Sequence, residues 1–474
     1  MIENPMPNIQ HPTSKRIAII GGGFAGLTAA YELQKRGYQT FLFERAPELG
    51  GLASTFAIEA TRLERGYHHW FTSDTHIIAQ MQELGLGDRV QWIPSKTGWF
   101  ENGKIWNMVT PLDVLRLGTI PFVDRLRLGF AVAYLTYLQS SKNNLGKYEK
   151  ITALEWWKKY GGNAVWDKVW SPMFRGKFGA EAEHIWMVYI WYKIVLRIGS
   201  RRGVAKEELG YPRGSYQVLI DALENAIRKQ GGKIFVGATV KRVVVENNVA
   251  CGLQFADDET SQKARKEIEG NEGNARFDKI ICTAPSFAAL KMIDEFPRAY
   301  VAKMNAAKYM AAVLLVLKLK QPMTRIYWMN IADRSIPFVA TIEQTNFLSP
   351  GVYNGKRVVY VSNYLDAASP YFQMSREELF NAYLPHLQKL NPGFSPDWVE
   401  EMWHFKEAAA QPIMPLNYSK MIPEHRTPIR NLYLANTTQL YPEDRGTNYS
   451  VRLGQEIAGM VDQDVKRNLR GGEE

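Results

Sequence analysis

Three glycines near the start of the chain have the spacing of a phosphate-binding turn. Gly21, Gly23 and Gly26 follow an apolar, β-branched run at residues 17–20 and precede a stretch with helical spacing. In such a strand–turn–helix unit the first glycine permits the tight turn, the second lets the backbone approach a pyrophosphate, and the third allows close helix–strand packing. A second apolar run ends at Glu44, where a carboxylate binds ribose hydroxyls and repels a 2′-phosphate. The segment therefore predicts a dinucleotide site that disfavours NADP, although a glycine triplet alone could also form an ordinary turn.

A second glycine pair separates the two remaining dinucleotides, NAD and FAD. Gly50 and Gly51 follow Glu44 and Arg45 in the segment ERAPELGGLAS. NAD needs no further close backbone approach at this point, whereas a longer cofactor that extends past its pyrophosphate does. The segment resembles the motif shared by the amine oxidase, protoporphyrinogen oxidase and phytoene desaturase flavoproteins, in which the acid is followed by an arginine and a Gly-Gly pair beside FAD. The resemblance implies FAD as the cofactor.

The resemblance extends over most of the chain, including residues 214–243, 277–285 and 431–461. In these flavoproteins a valine meets the adenine, and Val240 matches it. The last strand, loop and helix close over the flavin, where a helix N-terminus stabilises the anionic reduced ring. The resemblance implies a cofactor-binding set that consists of Gly21, Gly23, Phe24, Ala25, Gly26, Glu44, Arg45, Gly50, Gly51, Leu52, Val240, Thr283, Ala284, Pro285, Arg445, Gly446, Thr447 and Asn448.

The C-terminal loop departs from the pattern of these flavoproteins. The relatives usually have a glycine followed by an acid after the last strand, where this chain has Asn436 and Thr437. The nearby segment YPEDRGTNYS, residues 441–450, offers a replacement. We expect residues 445–448 to form the turn and the helix start against the flavin, although the same segment could be only a polar loop.

The order of the elements predicts an α/β protein, α+β overall, with a discontinuous Rossmann-like FAD-binding domain, an inserted mixed-sheet substrate domain and a helical subdomain. We expect the FAD-binding domain at residues 1–75, 206–289 and 406–474, the substrate domain at 76–110 and 290–405, and the helical insertion at 111–205. The polar stretch 257–276 predicts an exposed hairpin tip.

Composition and motif content narrow the function classes. The chain has 474 residues, of which 46% are hydrophobic and 22% charged, as in an ordinary globular protein. Cys251 and Cys282 each lie in an apolar run and predict two reduced core thiols, which favours a cytoplasmic protein. No stretch is long and apolar enough to span a bilayer, and we expect neither a metal site nor a nucleic-acid partner.

The helical insertion combines apolar and basic side chains, in a chain whose formal net charge is +10. Apolar residues recur with helical spacing from Leu112 to Leu138 beside Arg116, Arg125 and Arg127, and a basic, tryptophan-rich stretch continues to Arg213. Such a surface could attach the protein to an anionic membrane, for instance the inner face of the cell membrane. Alternatively, the apolar face packs on the substrate domain and the charges only solvate it.

No local pattern identifies a catalytic lysine. Amine oxidases place a lysine against flavin N5 through a water, and Lys308, Lys318 and Lys320 lie in the corresponding region. Lys318 and Lys320 alternate along a strand and are expected to point into solvent, which argues against true amine oxidation.

Arginines and histidines offer two further candidate sites. Arg197, Arg201 and Arg202 could hold a nucleotide diphosphate, as paired arginines do in the sugar mutases of this superfamily, or could only solvate a helix end. His68 and His69 match a segment that runs beneath the flavin in the relatives. In a strand, adjacent side chains face opposite ways, so only one of these histidines could reach the site. An unperturbed pKa would suit it as a proton relay, whereas a structural histidine is the ordinary alternative.

The resemblance leads to a first functional hypothesis and leaves two others open. The first is an FAD-dependent oxidoreductase that dehydrogenates a bulky hydrophobic substrate, porphyrinogen-like or isoprenoid, by hydride transfer to flavin N5, with oxygen or a quinone as electron acceptor. The second is an isomerase or sugar-nucleotide mutase that uses reduced FAD. The third is a binding protein that flavin stabilises.

Overall fold

The computed structural model describes residues 15–108, 110–138, 144–199, 207–269 and 275–470. The strands are Arg16–Ile20 (β1), Gln39–Glu44 (β2), Thr55–Ile58 (β3), Thr61–Glu64 (β4), Val90–Pro94 (β5), Thr97–Glu101 (β6), Lys104–Asn107 (β7), Glu208–Pro212 (β8), Lys233–Val236 (β9), Val240–Glu246 (β10), Val249–Phe255 (β11), Lys279–Cys282 (β12), Lys308–Leu319 (β13), Trp328–Ile331 (β14), Ala340–Glu343 (β15), Arg357–Leu365 (β16), Val399–Ile413 (β17) and Leu432–Leu434 (β18). The α-helices are Phe24–Lys35 (α1), Thr75–Glu83 (α2), Pro111–Arg116 (α3), Phe122–Ala133 (α4), Leu145–Tyr148 (α5), Ala153–Tyr160 (α6), Asn163–Val165 (α7), Ser171–Phe178 (α8), Met187–Gly199 (α9), Gln217–Lys229 (α10), Glu259–Glu269 (α11), Ser286–Met292 (α12), Arg298–Met304 (α13), Pro370–Gln373 (α14), Arg376–Leu390 (α15) and Thr447–Arg470 (α16).

A five-stranded parallel sheet holds the glycine turn. Its strand order is β18-β12-β1-β2-β9, so it gathers strands from widely separated parts of the chain. The apolar side chains of β1 and β2 are buried, as their continuous β-branched and aromatic runs predict. Helices α1 and α16 pack on each other beside this sheet. In such parallel sheets ligands bind outside the carboxyl ends of the strands, so the residues after β1, β2, β12 and β18 are the candidates for a ligand site.

A seven-stranded mixed sheet forms the second layer. Its order is β17-β13-β16-β15-β14-β6-β7, and its pairs are antiparallel except for β14 with β6. Helix α15 packs on β13 and β17 and begins after Ser375, which forms a reciprocal cap with Glu378. Strand β8 does not join the parallel sheet but pairs with β5. The α/β prediction is confirmed, and the domain boundaries stay a prediction.

The segment from residue 111 is mainly helical in its described part, as predicted. Thr152 and Glu155 form a capping box at the start of α6, and Thr110 with Asp113 caps α3. The apolar positions at helical spacing from Leu112 to Leu138 do not form one helix, because the chain leaves the helix after Arg116 and re-enters it after Pro121. The tryptophans pack into a core of their own and are buried, namely Trp156, Trp157, Trp166, Trp170, Trp186 and Trp191.

Residues 257–276 were predicted to form a hairpin tip, and that prediction is wrong. The structure has helix α11 at Glu259–Glu269, where the Asp258 carboxylate accepts hydrogen bonds from the Ser261 amide and hydroxyl. Ala264 and Ile268 bury their side chains against the core beneath β10 and β11. The run is polar because most of α11 faces solvent, and a few buried side chains at helical spacing suffice to hold it. Residues 270–274 lie outside the described residues.

Cys251 and Cys282 are free thiols in β11 and β12, as predicted. Burial raises the pKa of Cys282 to about 11, so this thiol stays protonated at neutral pH. Among the described residues no helix combines the length and the apolar character that crossing a bilayer requires. The same part of the chain contains no group of side chains arranged to hold a metal ion.

Candidate functional site

The glycine turn that begins at Gly21 and the Gly50–Gly51 pair meet at the carboxyl ends of β1 and β2. Gly21 has a φ of 110°, and an added Cβ there would lie 2.3 Å from the Thr283 Oγ1, so only glycine fits between the ends of β1 and β12. The Gly50 amide donates to the Gly22 carbonyl at 2.9 Å. Glu44 holds the turn from the other side, because its carboxylate accepts from the Gly22 amide at 2.7 Å. The sequence-predicted glycines and acid are thus brought together.

The space around each glycine separates a packing role from a binding role. An added Cβ at Gly26 would lie 2.0 Å from the Gly21 carbonyl oxygen, so Gly26 serves helix–strand packing. At Gly23 the nearest protein atom to an added Cβ is the Gly51 Cα at 3.7 Å. The protein therefore leaves room beside Gly23, at the N-terminus of α1, where free N–H groups favour a phosphate. This open glycine cradle fits the pyrophosphate of FAD.

A cavity of about 430 Å³ extends from this edge toward the seven-stranded sheet. One wall consists of predicted cofactor-binding residues, namely Glu44, Arg45, Gly51, Leu52 and Arg445. The opposite wall comes from β13, β16 and β17 and contains Ala312, Leu314, Ser362, Tyr364, Phe405 and Ala410. The Arg65 side chain also lines the cavity, and its buried Nε lacks a hydrogen-bond partner among the described residues. An unpartnered donor in the wall fits a polar cofactor group.

A second cavity, of about 450 Å³, lies against β10, β11 and α11. Its wall includes Lys241, Glu246, Arg265 and Arg276, and none of the predicted site residues lines it. We therefore place the site in the cavity beside the glycine turn, where the predicted residues converge.

Several predicted cofactor-binding residues have structural partners outside the cavity wall. Phe24 is buried and packs edge to face on Tyr216. The Thr283 hydroxyl donates to the Ile20 carbonyl at 2.9 Å and so fixes the glycine turn. Ala284 and Pro285 follow it and lead into α12, while Ala25 lies in the first turn of α1 and Val240 begins β10. These residues shape the sheet edge, and their contact with FAD stays a prediction.

The last helix begins at Thr447, where the sequence predicted a helix start. The Trp70 indole donates to the Thr447 hydroxyl at 3.3 Å. The Asn448 side-chain oxygen, Oδ1, accepts from the His76 and Ile77 amides at 2.9 and 3.2 Å, so Asn448 caps α2 from another part of the chain. Gly446 precedes the helix, and its carbonyl accepts from the Ser450 amide at 3.0 Å.

The unusual Asn436 has a clear structural role. Its side-chain oxygen accepts from the Thr438 amide at 3.0 Å, and its side-chain nitrogen donates to the Ala284 carbonyl at 3.0 Å. Asn436 therefore ties the loop after β18 to the loop after β12. This contact holds the sheet edge in place where the relatives have a glycine and an acid.

The two candidate histidines are half-buried and neutral. Residues 67–69 lie outside any strand, and only His68 lines the cavity, where its Nδ1 lies 2.6 Å from the Gly66 carbonyl oxygen. His69 turns away, with its Nδ1 3.1 Å from the Tyr327 hydroxyl. Burial lowers the pKa of His68 to about 4 and that of His69 to about 3. The lowered pKa values favour the structural alternative over the proton relay, because burial away from water disfavours the charged imidazolium.

A cluster of charged side chains behind the cavity was missed by the sequence analysis. The buried Asp444 carboxylate contacts the Lys177 Nζ at 3.0 Å and the Lys193 Nζ at 2.6 Å. It also accepts from the Gln411 side chain at 3.0 Å. Burial alone would raise the pKa of Asp444, but Lys177, Lys193 and Arg445 outweigh it and lower that pKa. Burial lowers the pKa of Lys177 to about 8, against the opposing attraction of Asp444.

Arg445 connects this cluster to the cavity. Its guanidinium donates to the Tyr364 hydroxyl at 2.8 Å and to the Gln411 side-chain oxygen at 3.2 Å. Tyr67 stands beside Tyr364, and its hydroxyl lies 3.1 Å from the Ser362 hydroxyl. The only sequence signal for this group was the segment PEDRGTNYS, because the two tyrosines and two lysines come from distant elements.

The other candidate cations have partners elsewhere. Lys308 forms an exposed ion pair with Glu181. Lys318 does not point freely into solvent as predicted, because it contacts Glu59 at 2.8 Å and Glu401 at 3.0 Å. Lys320 is exposed, as predicted. The Arg197 guanidinium donates to the buried Glu207 carboxylate at 2.6 Å. Arg197 therefore neutralises a buried charge, which is a structural role. The positions of Arg201 and Arg202 lie outside the described residues.

Replacing Glu44 with alanine should weaken FAD binding by about 1.5–3 kcal/mol, the range for a hydrogen bond to a charged group. The carboxylate also accepts from the Gly22 and Ala46 amides, so its loss loosens the turn as well. Titration of the apoprotein with FAD measures the dissociation constant, and thermal unfolding of the apoprotein measures the loosened turn separately. An unchanged dissociation constant would show that Glu44 only shapes the loop.

Comparison with known proteins agrees with this geometry. The sequence model described as flavin containing amine oxidoreductase matches residues 24–442. The chain is 23% identical over 282 residues to 4,4'-diapolycopen-4-al dehydrogenase of Metabacillus indicus, an alignment that covers 52% of this chain and 54% of the relative. It is likewise 23% identical over 283 residues to a probable zeta-carotene desaturase of Synechococcus elongatus, covering 53% and 57%. The chain thus spans little more than half the length of the curated relatives it matches.

A solved structure extends the fold comparison over almost the whole chain. The putative protoporphyrinogen oxidase from Exiguobacterium sp. 255-15 superposes with a TM-score of 0.73 at 14% identity, covering 95% of this chain and 99% of the other. At this identity the similarity establishes a shared fold.

Proposed function

Because the chain belongs to the family of flavin containing amine oxidoreductases and its cofactor is FAD, we propose that it dehydrogenates a bulky hydrophobic substrate, porphyrinogen-like or carotenoid-like. The observation that carries the proposal is the cavity that runs from the glycine turn to the inner face of the seven-stranded sheet. The cofactor's edge of the cavity is polar, whereas Ala312, Leu314 and Phe405 add apolar side chains to the opposite wall, beside the polar His404, Lys406 and Glu407 of β17. The apolar part of this wall suits a hydrocarbon group of the substrate.

The chain's own residues bind and orient the reactants. Bound FAD would supply a two-electron hydride acceptor. The glycine turn and the start of α1 would hold the pyrophosphate, and Glu44 the adenosine ribose. The N-terminus of α16, beside Arg445, presents a positive end that stabilises negative charge on a reduced ring. The apolar wall from β13 and β17 would exclude water from the reacting carbon.

The exposed apolar side chains of α4 support a lipid surface as the source of such a substrate. Phe122 and Phe130 are 61% and 74% exposed, and Tyr137, in the π-helical turn Tyr134–Leu138 that follows α4, is 77% exposed. At 3.6 residues per turn, Phe122, Phe130 and the exposed Val123 and Leu126 fall on one face of α4. We therefore propose that this face, called the α4 apolar face below, inserts into a lipid surface.

Basic side chains near the α4 apolar face favour an anionic lipid surface over a neutral one. Arg116, Arg127 and Lys147 are exposed near the α4 apolar face, and Lys147 lies over the Tyr134 ring. Basic residues near an anionic surface each contribute about 1 kcal/mol. The buried tryptophans of this segment have no part in the attachment. A membrane-bound enzyme could take both a lipid-soluble substrate and a quinone from the bilayer, with oxygen as the alternative electron acceptor.

Anaerobic mixing tests the proposed function. Purified FAD-loaded protein is mixed without oxygen with porphyrinogens or with carotenoid precursors in detergent, and the absorbance of oxidised flavin is followed. We expect bleaching by one of these substrate classes, followed by recovery when oxygen or a quinone is added. Turnover that requires prior reduction of the flavin would instead indicate an isomerase or mutase. Bound FAD that neither responds to substrate nor supports turnover would indicate a binding protein.

A further inference from the structure

Tyr364 lines the cavity, and its hydroxyl contacts a charged side chain. It lies near the end of β16 and lines the cavity together with Ser362, which is two residues away on the same face of the strand. The Arg445 guanidinium donates to its phenol oxygen at 2.8 Å, and Tyr67 stands beside it with its own hydroxyl 3.1 Å from the Ser362 hydroxyl. A neutral phenol has one proton and two acceptor sites, and a permanently charged donor takes one of these acceptor sites here.

The charges around Tyr364 favour the ionised form. Lys177, Lys193 and Arg445 are positive, and Asp444 is the carboxylate within this group. Tyr189 accepts from the Lys177 Nζ at 2.6 Å, and Gln411 bridges Asp444 and Arg445. His68 lies on the same cavity wall, where burial keeps it neutral. The cluster therefore carries more positive than negative charge beside the phenol.

Burial would by itself raise the pKa of Tyr364, since it removes water from the charged phenolate. The nearby Arg445 and Lys177 and the Tyr67 hydrogen bond act in the opposite direction and together lower the pKa below the usual value for tyrosine. Tyr67 is affected in the opposite sense. Burial and its neighbour Tyr364 raise the pKa of Tyr67, so Tyr67 stays protonated and remains a donor.

We propose that Tyr364 is the proton acceptor of the cavity, with Arg445 and Tyr67 as the positioning residues that hold its phenolate. The inference rests on the proposed dehydrogenation. That reaction removes two hydrogens from the substrate: a hydride, which carries both electrons to oxidised FAD, and a proton. The Tyr364 phenolate oxygen accepts the proton, becomes the neutral phenol, and later releases the proton to solvent. His68 and His404 also line the cavity, but burial lowers the pKa of each, so each is a weaker base than the phenolate.

The ionisation is tested independently of turnover. Holoenzyme labelled with ¹³C at the tyrosine Cζ is titrated by NMR in the wild type, in Tyr364→Phe and in Tyr383→Phe. Tyr383 is a matched control, because it is buried and hydrogen-bonded to Asn363 on the other face of β16 but does not line the cavity. We expect one resonance to titrate below the usual tyrosine range, to vanish in Tyr364→Phe and to persist in Tyr383→Phe. A wild type in which no tyrosine titrates early, or an early resonance that survives in Tyr364→Phe, would overturn the proposal.

The chemical role is tested by the rate of anaerobic flavin reduction. Loss of a general base typically costs 10²–10⁴-fold, so Tyr364→Phe should reduce the flavin at least about 100-fold more slowly. In the wild type the rate should fall as pH drops through the lowered pKa of Tyr364, because the phenolate becomes protonated. Tyr67→Phe removes one donor and should move this fall to higher pH while FAD remains bound. A wild-type rate in Tyr364→Phe would overturn the proposal.

Failure of the proposed function has a different signature. In that case the early tyrosine resonance would still depend on Tyr364, but no substrate would reduce the flavin in any variant. That outcome removes the role as proton acceptor together with the dehydrogenation and leaves only the ionised tyrosine. The NMR titration and the reduction rate therefore separate the two claims.

Discussion

Replacing Gly23 with alanine should yield a folded protein that purifies without FAD. The backbone at Gly23 has φ −75° and ψ 177°, an extended conformation that alanine adopts without strain. The new methyl group would meet no protein atom closer than the Gly51 Cα at 3.7 Å. It would instead occupy the space through which the pyrophosphate approaches the backbone. Absorbance of oxidised flavin and the flavin content per chain measure the loss.

Variants at two other glycines show whether the loss of FAD is specific to Gly23. Gly459→Ala lies within α16, where nothing within 4 Å opposes a methyl group, and it should keep its flavin. Gly26→Ala places a methyl group 2.0 Å from the Gly21 carbonyl oxygen and should impair folding as well as binding. Thermal unfolding of each apoprotein separates the two effects. A yellow Gly23→Ala protein with normal flavin content would show that FAD does not pass this glycine.

Replacing Phe122 and Phe130 with serine should remove most of the attachment to anionic vesicles. Both side chains project from the α4 apolar face with more than half of their surface exposed. Burying a Phe side chain contributes about 1.5–3 kcal/mol, so two should be worth about 3–6 kcal/mol. The partition coefficient should therefore fall by at least about 100-fold. Flotation with vesicles of phosphatidylserine and phosphatidylcholine measures it.

The matched control replaces Phe287 and Val352, two exposed apolar residues of other elements, with serine. This pair should leave flotation unchanged, because it lowers the surface hydrophobicity without altering the α4 apolar face. High salt should weaken the wild-type attachment by screening the basic residues, but the inserted side chains should leave a residual affinity. No flotation of the wild type at low salt would contradict the lipid assignment. A dimer that Phe122→Ser and Phe130→Ser together dissociate would assign the α4 apolar face to a second copy of the chain instead.

Local signals in the sequence were sufficient for the cofactor side of the site. The turn from β1 to α1, the acid at the end of β2 and the second glycine pair depend on residues close together in the chain, so spacing alone identifies them. Helix caps at Thr152 and Ser375 are equally local, because each joins two residues three positions apart. The same reasoning misjudged residues 257–276, because composition cannot show that Ala264 and Ile268 find a core to pack against.

The substrate side depends on contacts between distant elements. Tyr364, Tyr67 and Lys177 lie on β16, on the loop after β4 and on α8, and only the folded chain brings them to Arg445 and Asp444. No spacing rule joins positions so far apart. The histidines illustrate the converse, because their type suggested proton transfer while burial in the fold lowers the pKa of both. Likewise, the tryptophans that suggested a membrane surface form a buried core, and the exposed apolar residues lie on α4.

A crystal structure of the FAD-loaded protein would test the central claim most directly. The claim is that the cavity between the glycine turn and the seven-stranded sheet is the flavin site. We expect the pyrophosphate beside Gly23 and the N-terminus of α1, and the isoalloxazine ring in the cavity lined by Tyr67, Tyr364 and Arg445. Density for FAD at any other surface, or a cavity without the ring in fully loaded crystals, would contradict the account.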